Sequence, residues 1–308
     1  MSGGPPLRMP GTLRLGAIPA GSARVAELPE IYEAQPGDAM PSICLIGDSG
    51  SGKTHQLGLL IAHLRTQGLT TIVLSVEDKH QGLQHLKPLI LPIGAPVVLP
   101  DGTKRVPTAT EKYNRLLTFR DRLSSGSYRE HAGLPVGALV TDGLTEMGNI
   151  VKTHRFDNMP AAASTGQPNT FKVYGEIGND LIDLMAALKR AASDSGKALG
   201  MSPLGIVATC VETLDAGKFK PLLPGNIAPD NFAQQFEVVL RLAVEPVGQN
   251  TTAMQFVAHT IGGEVLFPQA GRWIAKAPGG LFEAKVVNPN LGTMYEKIMS
   301  YYRGAVTP

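Results

Sequence analysis

Residues 47 to 54 read Gly47-Asp48-Ser49-Gly50-Ser51-Gly52-Lys53-Thr54 and satisfy the spacing G-x-x-x-x-G-K-[ST]. Such a run suits one kind of chemistry. Glycines let the backbone curl until successive N–H groups face a common anion, and a helix that starts at the lysine adds its positive end. Lys53 is expected to contact the β- and γ-phosphates of ATP, and Thr54 to give its hydroxyl to Mg²⁺. Two acids complete the set. Asp142 ends the run 137–141 and is the candidate that holds Mg²⁺ through its water shell, a role compatible with capping the next helix. Glu77, after the run 70–76, is the candidate that orients or deprotonates water. Asp78 competes with it, and Glu146, one helical turn beyond Asp142, is read as facing solvent or a partner.

These groups need a scaffold that gathers strand ends. Residues 42–46 (SICLI) read as an apolar strand directly before the loop, and 53–67 as a helix with Leu57, Leu60, Ile61 and Leu64 on one face, closed by Gly68. Strands are expected at 70–76, 136–141, 204–210 and 236–244, with shorter ones near 254–258, 273–275 and 283–287. A hairpin is expected around Asp101-Gly102. Helices are expected at 108 to about 130, after the 136–141 strand to about 154, at 173–192 with Ile177, Leu181, Leu184, Met185 and Leu188 inward, and at 291–302. Strand and helix alternate, which predicts an α/β fold with a mainly parallel sheet flanked by helices and an antiparallel C-terminal edge. Residues 1–40 are crowded with Gly and Pro and lack a period, so they read as a flexible tail or an arm that docks on another subunit. The expected organisation is this extension, a core at 41–287, and a C-terminal helix and tail at 288–308.

The chain has 308 residues, of which 43% are hydrophobic and 18% charged, with a formal net charge of +2. That bias is too small to argue for nucleic acid, so any basic surface must be local. Two cysteines, Cys44 and Cys210, sit in apolar runs as buried thiols do, and they exclude a disulfide framework. No apolar stretch reaches the roughly 18 residues of a membrane helix, and the N-terminus has no continuous apolar leader, so a cytoplasmic protein is expected. The seven histidines show no metal-ligand spacing.

With these residues placed, the chain resembles the RecA-type recombinase ATPases, and more closely the compact RecA-like ATPases that phages encode for single-strand annealing. The separation of Lys53 from Glu77 is similar to that between the loop lysine and the catalytic glutamate of RecA. VTDGLTEM resembles the metal-binding strand and turn, GEIGNDLIDLMAALKRAA the next helix, LGIVATCVETLDAGKFKPLLPGN the following strand with its DNA-facing loop, and FEVVLRLAV the next strand. The resemblance spans residues 41–287. It departs at Thr209-Cys210-Val211-Glu212, where RecA carries a glutamine that senses the γ-phosphate, and no aromatic-x-x-alanine polymerisation motif is clear in the N-terminal extension.

The resemblance implies an ATPase that acts on single-stranded DNA as a homo-oligomer, ring or filament, and it places Cys44 and Cys210 on neighbouring strands as free thiols. It implies two DNA-facing loops. One is 152–172, with Lys152, His154, Arg155 and Lys172 for phosphates and Phe156 or Phe171 for stacking. The other is 215–231, with Lys218 and Lys220 around Phe219. Equally, these cations are simply solvated and the phenylalanines anchor the loops. It also implies a basic residue that completes a neighbour's active site. Lys276 is the first choice, with Arg272 on the same face if 272–276 is one strand; the competing reading is a surface pair flanking Trp273. A nucleotide-binding virion assembly or packaging component with a protein partner is the alternative function. A small-molecule kinase is disfavoured by the lack of an arginine-rich lid.

Overall fold

In the computed structural model, β1 (Ser42–Gly47) and β2 (Thr70–Ser75) are buried at every position, as central strands covered on both faces must be. The structure describes residues 41–76, 80–159, 170–199, 201, 203–225, 231–248, 250–265 and 271–305. The N-terminal extension, Glu77, Asp78 and the segment 160–169 therefore lie outside the described residues.

β3 (Leu89–Pro92), β7 (Leu134–Asp142), β8 (Gly205–Asp215) and β10 (Val238–Val247) complete a parallel sheet in the order β3-β2-β7-β8-β1-β10. β11 (Asn250–His259) and β14 (Lys285–Val287) extend it beyond β10 in antiparallel sense. The α/β architecture with an antiparallel edge is thus as expected.

Alternation along the strands sorts side chains into two cores. Cys44, Ile46, Ile72, Leu74, Leu139, Ile206, Ala208 and Cys210 face one cluster. It is covered by α2 (Ala109–Ser124), α3 (Leu144–Asn158) and α4 (Thr170–Leu199). Ile43, Leu45, Val73, Ala138, Val140 and Val207 face the other, beneath α1 (Lys53–Thr66) and α5 (Leu291–Tyr302). Cys44 and Cys210 lie on the paired strands β1 and β8 as free, buried thiols. Burial is the chief cause that raises the pKa of both, Cys210 to about 12, so neither is a ready nucleophile.

Local signals explain most boundaries. Thr108 and Glu111 form a reciprocal capping box at the start of α2. α2 stops at Ser124 rather than near residue 130, because Gly126 takes a left-handed φ of 83° and Glu130 already pairs in β6 (Glu130–His131), a short partner of β7. β4 (Val97–Val98) and β5 (Lys104–Arg105) form the hairpin expected around Asp101-Gly102. α4 buries Ile177, Leu181, Leu184, Met185 and Leu188 as anticipated, but is longer at both ends.

Two segments expected as loops are regular instead. Residues 152–158 continue α3, and residues 215–221 form a tight hairpin between β8 and β9 (Lys218–Pro221). Ala216 and Gly217 have φ of 48° and 73°, the pair of positive values that a two-residue type I′ turn demands. β9 continues onto β13 (Gly271–Trp273) and β12 (Gly263–Val265).

The C-terminal helix is built into the core. Tyr295 is buried and donates to the Gly137 carbonyl at 3.2 Å. A Cβ added at Gly205 would lie 2.2 Å from the Tyr295 hydroxyl. Gly205→Ala is therefore expected to cost about 1–3 kcal/mol in chemical denaturation. A parental midpoint would show that Tyr295 moves aside freely. Among the described residues no helix is long and apolar enough to cross a membrane.

Candidate functional site

β1 runs between β8 and β10, and its last residue, Gly47, delivers the chain to the open C-terminal end of the parallel strands. Ligands of open α/β sheets bind at such ends. A Cβ at Gly47 would stand 2.4 Å from the Leu242 carbonyl, so only glycine lets the loop leave the sheet here. Gly50 and Gly52 turn it with φ of 83° and 88°, and Gly52 is the N-cap of α1. The first turn of α1 holds no acid, which leaves its positive end unopposed by its own side chains.

Lys53 opens that helix and folds back over the loop. Its Nζ donates to the carbonyls of Gly47 and Asp48 at 2.6 and 2.7 Å. Burial pushes its pKa down, while Cys210, Asp48, Asp142 and Glu212 pull it up. An ammonium held in a partly desolvated, acid-lined pocket is a strong electrostatic partner for an anion.

Asp142 ends β7 in register with Ser75 at the end of β2. Thr209 of β8 donates its hydroxyl to Asp142 Oδ1 at 2.7 Å and accepts from the Gly143 amide at 3.1 Å. Loop and strand ends meet in one cleft of about 340 Å³, lined by Gly50, Lys53, Thr54, Ser75, Asp142 and Thr209 among others. The sequence-predicted set Lys53, Thr54 and Asp142 is thus brought together. Glu77 lies outside the described residues, two positions beyond Ser75. Glu146 accepts from Asn149 on the surface of α3 and does not line the cleft.

Among the described residues no group of three or more His, Cys, Asp or Glu could hold a metal ion. Thr54 and Asp142 supply only one hydroxyl and one carboxylate. That sparse, hard-oxygen set fits Mg²⁺, which keeps most of its waters and shares substrate phosphates, and does not fit an all-protein cage.

A second cavity of about 800 Å³ lies against the other side of the loop, lined by Asp48, Ser51, Glu212, Phe219, Arg241 and Trp273 among others. Here Arg241 of β10 makes a bidentate, buried pair with Glu212 of β8 at 2.7 and 2.9 Å. Its guanidinium lies 4.5 Å from the Phe219 ring centre and 5.1 Å from that of Trp273. Trp273 also packs at a tilt against His259, which is paired with Glu245 at 2.6 Å. Burial lowers the His259 pKa although Glu245 opposes this. The sequence reading missed this cluster. Its signal was a lone arginine inside FEVVLRLAV, where a charge in an apolar strand requires a buried partner.

Among the described residues, several of the cations expected at DNA are engaged within the fold. Arg155 is paired with Asp180 and Glu176, and Lys152 lies 5.7 Å from the Tyr174 ring centre, so both brace α3 against α4. Phe156 meets Tyr174 edge-on and packs on the core. Lys220 is paired with Asp215 at 2.7 Å and Phe219 is spent on Arg241, whereas Lys218 is exposed beside Arg272 in register.

Arg272 and Lys276 do not share one strand face, contrary to expectation. β13 stops at Trp273, and Lys276 instead exchanges both backbone hydrogen bonds with Val239. Val239 is level with Cys44, three residues before Gly47, so the Lys276 backbone lies below the loop. Arg272 is 79% exposed and near Glu264. Lys276 lines neither of the two cavities. Searches against family models and curated proteins find no match to this chain.

Proposed function

We propose that the protein is a RecA-like P-loop ATPase that binds ATP with Mg²⁺ and acts on single-stranded DNA as a homo-oligomer. The observation that carries this reading is the convergence of Lys53, Thr54 and Asp142 on one cleft at the carboxyl ends of parallel strands. The strand order supports it, since the strand bearing Asp142 is separated from β1 by β8, as the resemblance implies.

In this reading the backbone amides of 48–53 and the start of α1 bind the phosphate chain, and Lys53 exchanges its two carbonyl partners for phosphate oxygens. Thr54 and Asp142 would hold Mg²⁺, which when bound neutralises charge that develops on the transferred phosphoryl group. Glu77, just past the end of β2, orients the attacking water and takes its proton. Lys276, away from its own chain's cleft, is proposed to serve a neighbour's.

Single-stranded DNA is assigned to the face that carries Lys218 and Arg272, exposed neighbours on β9 and β13. Pro224 and Gly225 then return the chain to α3 and α4, near Lys152. The test is the ATPase rate with and without single-stranded DNA over a salt series. Stimulation that falls with salt is expected, and Lys218→Ala should flatten its slope by roughly one counterion. A rate indifferent to DNA at every salt concentration would favour a protein partner, as in virion assembly or packaging.

A further inference from the structure

We propose that Thr209 is a positioning residue for the Mg²⁺-binding carboxylate, which rests on the reading of Asp142 as the metal-site acid. Thr209 is 2% exposed and stands on β8 among Ile206, Val207, Ala208 and Cys210, where valine would pack equally well. What distinguishes threonine is its hydroxyl. An amide can only donate, so the Gly143 N–H at 3.1 Å occupies an oxygen lone pair of Thr209. The single hydroxyl proton is thereby directed to Asp142 Oδ1 at 2.7 Å.

The turn that carries Asp142 is built to meet this contact. Gly143 has φ of 107°, which aims its amide at β8 and which a side chain would resist. One step on, Thr145 accepts the Val211 amide at 3.2 Å and ties the start of α3 to the same strand. Two hydroxyls, one from each side, thus fix the β7–α3 turn to β8. Both line the cleft that holds Lys53 and Thr54. Asp142 is held facing that cleft, so less side-chain entropy is lost when the ion binds.

The test is a Mg²⁺ titration of the binding of a fluorescent ATP analogue to the full chain, alongside its thermal melt. Thr209→Val, which replaces the hydroxyl by a methyl of similar size, is expected to raise the Mg²⁺ concentration for half-maximal binding roughly 10- to 100-fold. Thr209→Ser, which keeps the hydroxyl, should bring it back to the parental value. Should Thr209→Val fail to fold, Thr209→Ala removes the same hydroxyl and carries the same expectation. If Asp142→Asn raises the Mg²⁺ requirement and the folded Thr209→Val or Thr209→Ala protein does not, this proposal falls alone. If Asp142→Asn leaves the requirement at the parental value, the metal-site reading falls and takes the proposal with it.

Discussion

Lys53→Ala is expected to lower ATP binding or turnover by roughly a hundredfold or more while the melting temperature hardly moves. The two expectations have one cause. The Lys53 ammonium is partly desolvated, and burial is the leading influence on its pKa, so the folded chain gains little from holding it there. Its bonds to Gly47 and Asp48 are to carbonyls of the loop itself, which water can satisfy once the side chain is gone. A partly desolvated ammonium in a cleft, shifted by burial, is a candidate for binding an anion. Calorimetric nucleotide binding and a thermal melt on one preparation read both quantities. Glu77→Gln supplies the contrast, with binding kept and hydrolysis lost. Normal hydrolysis by the alanine variant would remove the basis for the proposed function.

Arg241→Ala is expected to destabilise the chain by about 3–5 kcal/mol, because it leaves the Glu212 carboxylate buried without its bidentate partner. The accessible fractions of the two side chains, 11% and 4%, leave little room for water to screen that charge. Replacing both residues with methionine should restore most of the loss, since a buried ion pair and a well-packed apolar pair are often close in energy. Urea denaturation of the two single variants and the double variant measures the coupling. A cost under about 1 kcal/mol for Arg241→Ala would mean that the pair behaves as a surface one. The loss should also loosen Phe219 and Trp273, so protease sensitivity of the β8–β9 hairpin is a second reading of the same variant.

What could be read from the sequence was whatever short-range chemistry determines. The loop spacing, the apolar strand before it and the stripe of Leu57, Leu60, Ile61 and Leu64 are local, and they predicted β1, α1 and their junction correctly. Asp142 was found because a strand-end acid next to a glycine is also local. Glu212 and Arg241 are 29 positions apart, and only the pairing of β8 and β10 on either side of β1 makes them neighbours. No periodicity encodes that meeting. The loop readings failed at 152–158 and 215–221 for another reason: polar composition was taken to mean irregular backbone. Residues 152–158 are polar because one helical face meets solvent, and Ala216-Gly217 closes a hairpin although the sequence around it is rich in Lys and Asp. Lys276 was placed on one face with Arg272 on the condition that 272–276 is a single strand. The chain breaks after Trp273 to let Lys276 pair with Val239, a long-range preference invisible in RWIAK itself.

The division of partners along β8 bears on how force travels in this molecule. Residues 206–211 are clamped against β1, and residues 212–215 leave that sheet and pair with β9. At about 3.3 Å per residue this part reaches roughly 13 Å past Val211. Arg241 of β10 ties this projection back to the sheet through Glu212 and the rings of Phe219 and Trp273, so it is a braced strut beside Gly47. A load placed at the tip, where Lys218 sits, is therefore shared between β8 and β10, the two strands that flank the loop strand.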